Sequence, residues 1–294
     1  MLIHELLAQG LTRSFEYSPP KTPEETTSLK ATIAELTRLN PSFVSVTHHR
    51  ATPDAQRRTY ELVSSIQHEG TTAMAHLICV GHTRTQMSDM LTAYAAAGVR
   101  NVMALGGDVP SDATLATSDF SHAIELVALA REIGTFSIGV GAHPAGHPQS
   151  PDLASDRHYL AQKLAAADFA VTQFFFEASA WRTLVDELGA LSVTKPVLPG
   201  IMPVTTMTGI GRMAQMGAAV PADLVARLEA ANLRGGASAV RAEGIRAAID
   251  MCVELLDDGA PGLHFYTLNR SSSAREIHQA LFDDDGYRRP QALR

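Results

Sequence analysis

Short runs rich in β-branched and aromatic residues recur eight times along this chain, at 13–17, 43–47, 72–79, 101–105, 136–141, 169–175, 197–202 and 262–266. Longer stretches with helical spacing separate them. Such alternation builds parallel strands joined by crossover helices, and eight strands is the number that closes a (βα)8 ring. The predicted fold is therefore α/β, an eight-stranded parallel TIM barrel. A length of 294 residues suits one barrel as well as two smaller domains. No repeat, low-complexity linker or shift of composition marks a boundary, so a single barrel domain over 1–294 is preferred. A doubly wound sheet alternates in the same way, but no GxGxxG turn follows the first strand.

Helix starts are legible between the strands. Thr22-Pro23-Glu24-Glu25 offers a capping hydroxyl, a proline suited to the first turn, and acids that face the N-terminal dipole. Helices are likewise expected at 83–97, 119–133, 152–166 and 178–188. The stretch 205–258 is too long for one helix. Gly209, Gly217, Pro221 and Gly235-Gly236 punctuate it, which predicts an extended helical excursion before the last strand.

Composition narrows the function classes. Hydrophobic residues make up 45% of the chain, enough for a large core, and the formal charge is -7 without a basic run, so nucleic acid is not expected as a partner. Cys79 and Cys252 lie far apart in apolar stretches, which argues against a disulfide framework or thiolate zinc and for a reducing cytoplasm. No export signal is read in the first ten residues, and no window reaches about 18 uncharged apolar residues, so no membrane segment is expected.

In a barrel, chemistry gathers at the C-terminal ends of the strands. In Ser14-Phe15-Glu16-Tyr17, the pleat puts Phe15 and Tyr17 on one face and Ser14 and Glu16 on the other, so Glu16 points into the mouth if the aromatics pack on helices. A carboxyl there can act as a general acid. The fourth strand ends in Gly106-Gly107-Asp108, where paired glycines let backbone approach a ligand beside the acid. Gln173 sits inside an apolar strand, so its amide must bond neighbouring backbone or read the edge of a polar heterocycle. His48, His49, His76, His143 and His147 fall at strand ends, but Pro144 and Gly146 spoil a helical ligand spacing, and no metal site is expected. Asp156 and Lys163 are two turns apart on one helix face.

Taken together and in order, several segments identify a likeness: Ser14-Phe15-Glu16-Tyr17-Ser18-Pro19-Pro20, Ala75-His76-Leu77, Ala104-Leu105-Gly106-Gly107-Asp108, Gly146-His147-Pro148, Val171-Thr172-Gln173-Phe174-Phe175-Phe176, Pro199-Gly200-Ile201-Met202-Pro203 and His264-Phe265-Tyr266-Thr267-Leu268-Asn269-Arg270. The chain resembles the bacterial methylenetetrahydrofolate reductase family over nearly its full length. The resemblance implies an FAD-binding barrel that reduces 5,10-methylenetetrahydrofolate with NADH or NADPH. It implies Glu16 as general acid, Asp108 beside pterin and flavin, and Gln173 on the pterin. Thr47, His76, His143, His147, Asp156 and Lys163 fall at cofactor positions, and Met207 and Arg270 near the folate.

Two departures bear on the flavin. Gly106 stands where the family usually has arginine, and His143 where it usually has tyrosine; Met207 also replaces a common aromatic. Direct hydride transfer without stable flavin, a non-catalytic folate-binding paralogue and a metal-dependent barrel hydrolase are the alternatives weighed. Oligomers are frequent in the family, which leaves room for a homo-oligomer here.

Overall fold

The computed structural model describes residues 1–48, 52–107, 118–283 and 286–290. Its elements run α1 (Ile3–Gln9), β1 (Thr12–Tyr17), α2 (Pro23–Thr37), β2 (Phe43–Val46), α3 (Pro53–His68), β3 (Ala73–Ile78), α4 (Arg84–Ala96), β4 (Asn101–Leu105), α5 (Ala123–Ile133), β5 (Ser137–Ala142), α6 (Leu153–Ala166), β6 (Phe169–Phe174), α7 (Ala178–Ala190), β7 (Val197–Ile201), α8 (Met207–Gln215), α9 (Ala222–Asp257), β8 (Gly262–Tyr266) and α10 (Ser271–Leu281). A short hairpin of β9 (Phe282–Asp283) and β10 (Gly286–Tyr287) follows. Strands β1 to β8 form a closed barrel in chain order, and β8 pairs in parallel with β1, setting Ser14 beside His264 and Glu16 beside Tyr266. Each strand differs from its predicted range by at most one residue at either end.

The capping chemistry explains why the helices begin where they do. Thr22 accepts from the Glu25 amide at 3.2 Å, and Thr83 and Gln86 cap each other's backbone amides. The helix expected from Asp119 starts instead at Ala123. Asp119 is committed elsewhere: its carboxylate accepts from the Arg84 amide at 2.8 Å and its own amide donates to the His82 carbonyl. Glu125 then caps the amides of Ser121 and His122. The predicted excursion is α8 and α9, with a break at 216–221 and non-helical backbone at Gly235 and Gly236 inside α9. Gly209 does not break the chain; it lies in the first turn of α8, where its amide donates to the capping Thr206 hydroxyl at 3.0 Å.

Two apolar layers follow from the pleat. Phe15 and Tyr17 face outward into the large core between strands and helices. Inside the barrel, Phe43, Met74, Met103, Phe169, Val171 and Leu198 fill the N-terminal half, and Ile3 and Leu7 of α1 close it from below. The plug is tied in place by the Ile3 amide donating to Asn101 Oδ1 at 2.8 Å. Each fully buried side chain of this size stabilises the fold by roughly 1.5 to 3 kcal/mol. The C-terminal half of the interior is left to polar groups.

Candidate active site

Glu16 projects into the upper barrel, as the alternation along its strand predicts, and only 14% of its side chain is exposed. Its Oε2 lies 3.6 Å from His76 Nε2 of β3 and 3.9 Å from His264 Nε2 of β8. His264 is itself fixed: Ser14 Oγ is 2.7 Å from Nδ1, Ser45 Oγ is 3.4 Å from Nε2, and the ring stacks on Phe43. Tyr266 stands beside the carboxyl and gives its hydroxyl proton to the Thr172 carbonyl at 2.7 Å. Burial, reinforced by the Glu16 charge, holds that phenol far above the usual tyrosine range. The ring can cross β7 because residue 200 is glycine; a Cβ there would lie 2.4 Å from both Tyr266 and the Thr172 carbonyl oxygen.

Across the mouth, Gln173 bonds backbone, the first of the two fates its position allowed. Its Nε2 donates to the Met216 carbonyl at 3.2 Å and its Oε1 accepts from the Phe174 amide at 3.0 Å. Met216 belongs to the turn after α8, so the excursion is fastened over this edge of the barrel. Met207, the first residue of α8, is half-buried against the cluster of Phe174, Met202, Val204 and Met213.

The β5–α6 rim forms a second group. His147 and His143 meet edge to face at 4.7 Å. Burial, with His147 and Lys163 nearby, lowers the His143 imidazole to about 4, so it is neutral in ordinary buffers. Asp156 Oδ1 accepts from the His147 amide at 2.9 Å and from Ser150 Oγ at 3.2 Å, while Oδ2 pairs with Arg157 at 2.8 Å. Lys163 donates to the Gly141 carbonyl at 2.8 Å; burial draws its pKa down and Asp156 partly offsets this.

Other predicted positions are more scattered. Thr47 is buried at the end of β2 and donates to Ser18 Oγ at 3.0 Å. Arg270 is exposed at the N-cap of α10. Asp108 and His49 lie outside the described residues. Gly106 keeps its carbonyl on the Val80 amide, and a Cβ built on it would be 4.0 Å from its nearest neighbour among the described residues.

Sequence reasoning missed several participants. Arg157, 4% exposed, binds Asp156, Glu187 and the carbonyls of His143 and Pro144, and so holds the β5–α6 loop. Apart from the adjacent Asp156, its partners are remote or backbone, which leaves little local signal. Ser14, Ser45, His264 and Tyr266 were detectable, because each occupies an inward position of its strand by the same pleat argument that singles out Glu16.

Comparison with known proteins fits this architecture. The family model described as methylenetetrahydrofolate reductase matches residues 2–282. The 5,10-methylenetetrahydrofolate reductase of Pectobacterium carotovorum subsp. carotovorum is 32% identical over 271 residues, covering 91% of this chain and 89% of the relative. A probable methylenetetrahydrofolate reductase (NADPH) of Caenorhabditis elegans is 32% identical over 295 residues, and the match takes in 95% of this chain but only 44% of that longer protein. Among solved structures, an uncharacterized protein from Clostridium thermocellum that binds two copies of 5-methyl-5,6,7,8-tetrahydrofolic acid superposes with a TM-score of 0.64, covering 95% of this chain and 99% of that one. At 12% identity that likeness shows the barrel fold alone. With a family model spanning nearly its whole length and full-length relatives above 30% identity, the chain belongs to the methylenetetrahydrofolate reductase family of oxidoreductases.

Proposed function

We propose that this chain, acting as a single barrel domain, reduces 5,10-methylenetetrahydrofolate to 5-methyltetrahydrofolate with NADH or NADPH as reductant and FAD as the resident cofactor. The observation that carries the reading is Glu16: an inward carboxyl at the barrel mouth, set against two imidazoles and opposite an amide. Glu16 donates a proton to N10 of the folate, the bond from N10 to the bridging carbon breaks, and the carbon is left as an iminium on N5. Hydride delivered to that carbon completes the methyl group. General acid catalysis of this type contributes about 10²- to 10⁴-fold.

A bound FAD would supply the hydride-carrying chemistry between nicotinamide and folate. The β5–α6 rim suits such a group: Lys163 supplies a buried cation for phosphate or ring oxygen, neutral His143 offers a ring face or edge, and His76 lies between this rim and Glu16. Gly106 removes a cation from that set, which favours loosely held FAD. Gln173 reads the pterin once the Met216 carbonyl releases it, so folate entry displaces the turn after α8. Arg270, exposed beside the mouth, is left to attract the glutamate carboxylates of the folate. The two free thiols, Cys79 and Cys252, are both buried and support a reducing cytoplasmic setting.

The test is an anaerobic spectrum of the protein with FAD, then NADH or NADPH, then methylenetetrahydrofolate. Flavin absorbance that bleaches with nicotinamide and returns with folate supports the relay. Folate-dependent nicotinamide oxidation without flavin binding would replace it with direct hydride transfer, and neither signal would leave a folate-binding protein.

A further inference from the structure

Glu16 has two imidazole neighbours, but they are held differently, and the difference points to a further functional residue. His264 is 1% exposed and its ring is clamped between Phe43, stacked at 6.1 Å, and Tyr266, edge-on at 5.4 Å. Its two nitrogens meet hydroxyls from different strands. Ser14 Oγ on β1 lies 2.7 Å from Nδ1 and 3.4 Å from the Leu263 carbonyl; Ser45 Oγ on β2 lies 3.4 Å from Nε2.

One assignment satisfies every donor in this chain of contacts. Nδ1–H donates to Ser14 Oγ, the Ser14 hydroxyl donates to the Leu263 carbonyl, and the Ser45 hydroxyl donates to Nε2. Held at both nitrogens, the ring keeps its Nε2 edge beside Glu16 Oε2 at 3.9 Å.

The remaining titratable groups facing Glu16 do not duplicate this arrangement. Tyr266 has its proton committed to the Thr172 carbonyl. His76 approaches Oε2 at 3.6 Å from β3, on the side nearer the cofactor rim. Among the described residues, His76 and His264 are the basic groups within 4.0 Å of the carboxyl, and Asp108 is outside the described residues.

We propose that His264, oriented by Ser14 and Ser45, is a positioning residue that keeps the Glu16 carboxyl aimed into the mouth. The inference rests on the folate-reductase reading above. It assigns the Ser14-His264-Ser45 layer to the folate step, the half-reaction that draws on the Glu16 proton.

The experiment measures both half-reactions by anaerobic stopped flow in the wild type and in His264→Asn, His264→Gln and Ser14→Ala, with calorimetric binding of 5-methyltetrahydrofolate from pH 6 to 9 as a readout independent of turnover. His264→Asn keeps a donor near Ser14 but withdraws the edge facing Glu16. It is expected to slow folate-driven flavin reoxidation about tenfold or more. Flavin reduction should stay within about twofold, and folate affinity near pH 6 within about threefold. His264→Gln can present an amide oxygen where Nε2 was and should recover most of the folate step. Ser14→Ala removes one oxygen and should give the same signature at about threefold.

Parallel loss of both half-reactions, an unchanged folate step in His264→Asn, or failure of His264→Gln to recover any rate would overturn the proposal. Should His264→Asn fail to fold, Ser14→Ala and His264→Gln decide by the same criteria. A wild type that binds FAD and accepts hydride but never transfers it to folate would instead refute the functional reading, and the two failures are thereby distinct.

Discussion

The two ends of the barrel interior are built from the same strands yet obey opposite rules. At the N-terminal end, Met74, Met103, Phe169 and Leu198 pack into a dry layer sealed by Ile3 and Leu7. At the C-terminal end, two to four residues further along those strands and their neighbours, stand Glu16, His76, Gln173 and His264. An apolar plug excludes water from the lower half and fixes strand spacing, which lets the upper half hold costly polar groups at defined distances without collapsing. Stability and chemistry are thus separated along one axis by only part of a strand's length.

The strongest way to break this separation is at Glu16. Glu16→Gln is expected to lower the folate half-reaction about 10²- to 10⁴-fold, measured by stopped flow, while leaving the urea midpoint close to wild type. A comparable loss of stability would show that the polar end also holds the barrel together.

The converse change belongs to the plug. Ile3→Ala removes a fully buried side chain from the lower layer and should cost about 2 to 5 kcal/mol in urea unfolding, with both half-reaction rates unchanged at temperatures where the variant is folded. Altered rates would mean that the plug transmits strain to the mouth.

A third prediction concerns pH, outside either end. His278 of α10 is 5% exposed, lies 5.0 Å from the Phe282 ring and 6.2 Å from that of Phe15, and has no hydrogen-bond partner for either ring nitrogen among the described residues. Burial, with Arg13 nearby, lowers its pKa from the usual 6.5 to about 4. The unfolded chain therefore binds this proton more readily, and stability is retained above about 6.5 and lost as pH falls toward 4, by up to about 3 kcal/mol. Urea titrations from pH 7 to 4 should show this fall, and His278→Phe should flatten its share of it.

The smallest expected effect sharpens the contrast at the mouth. A Cβ at Gly106 meets no described neighbour closer than 4.0 Å, so Gly106→Arg is expected to fold. By restoring a cation near the proposed phosphate path, it should tighten FAD binding about tenfold in a fluorescence titration. Unchanged affinity would place the FAD phosphates away from β4.

Legibility in the sequence tracked how local the cause was. The strands were readable because each is a short apolar run bounded by turns, and Thr22, Thr83 and Asp152 announced their helices because a cap acts over three residues. Asp119 misled for the opposite reason: its carboxylate serves a helix 35 residues earlier in the chain. Glu16 was found by strand alternation, whereas Arg157 was not, since its guanidinium gathers loop carbonyls and a carboxylate on the next helix.

By itself, then, the amino-acid sequence determined the eightfold βα alternation, the inward face of each strand and the family to which the chain belongs, because period and short-range capping are properties of neighbours. Only the tertiary structure decided that α1 closes the barrel floor, that the turn after α8 occupies Gln173, and that His76, His264 and Tyr266 gather at one carboxyl with Ser14 and Ser45 behind His264. Those contacts join residues up to 250 positions apart, and ring closure alone brings β1 against β8.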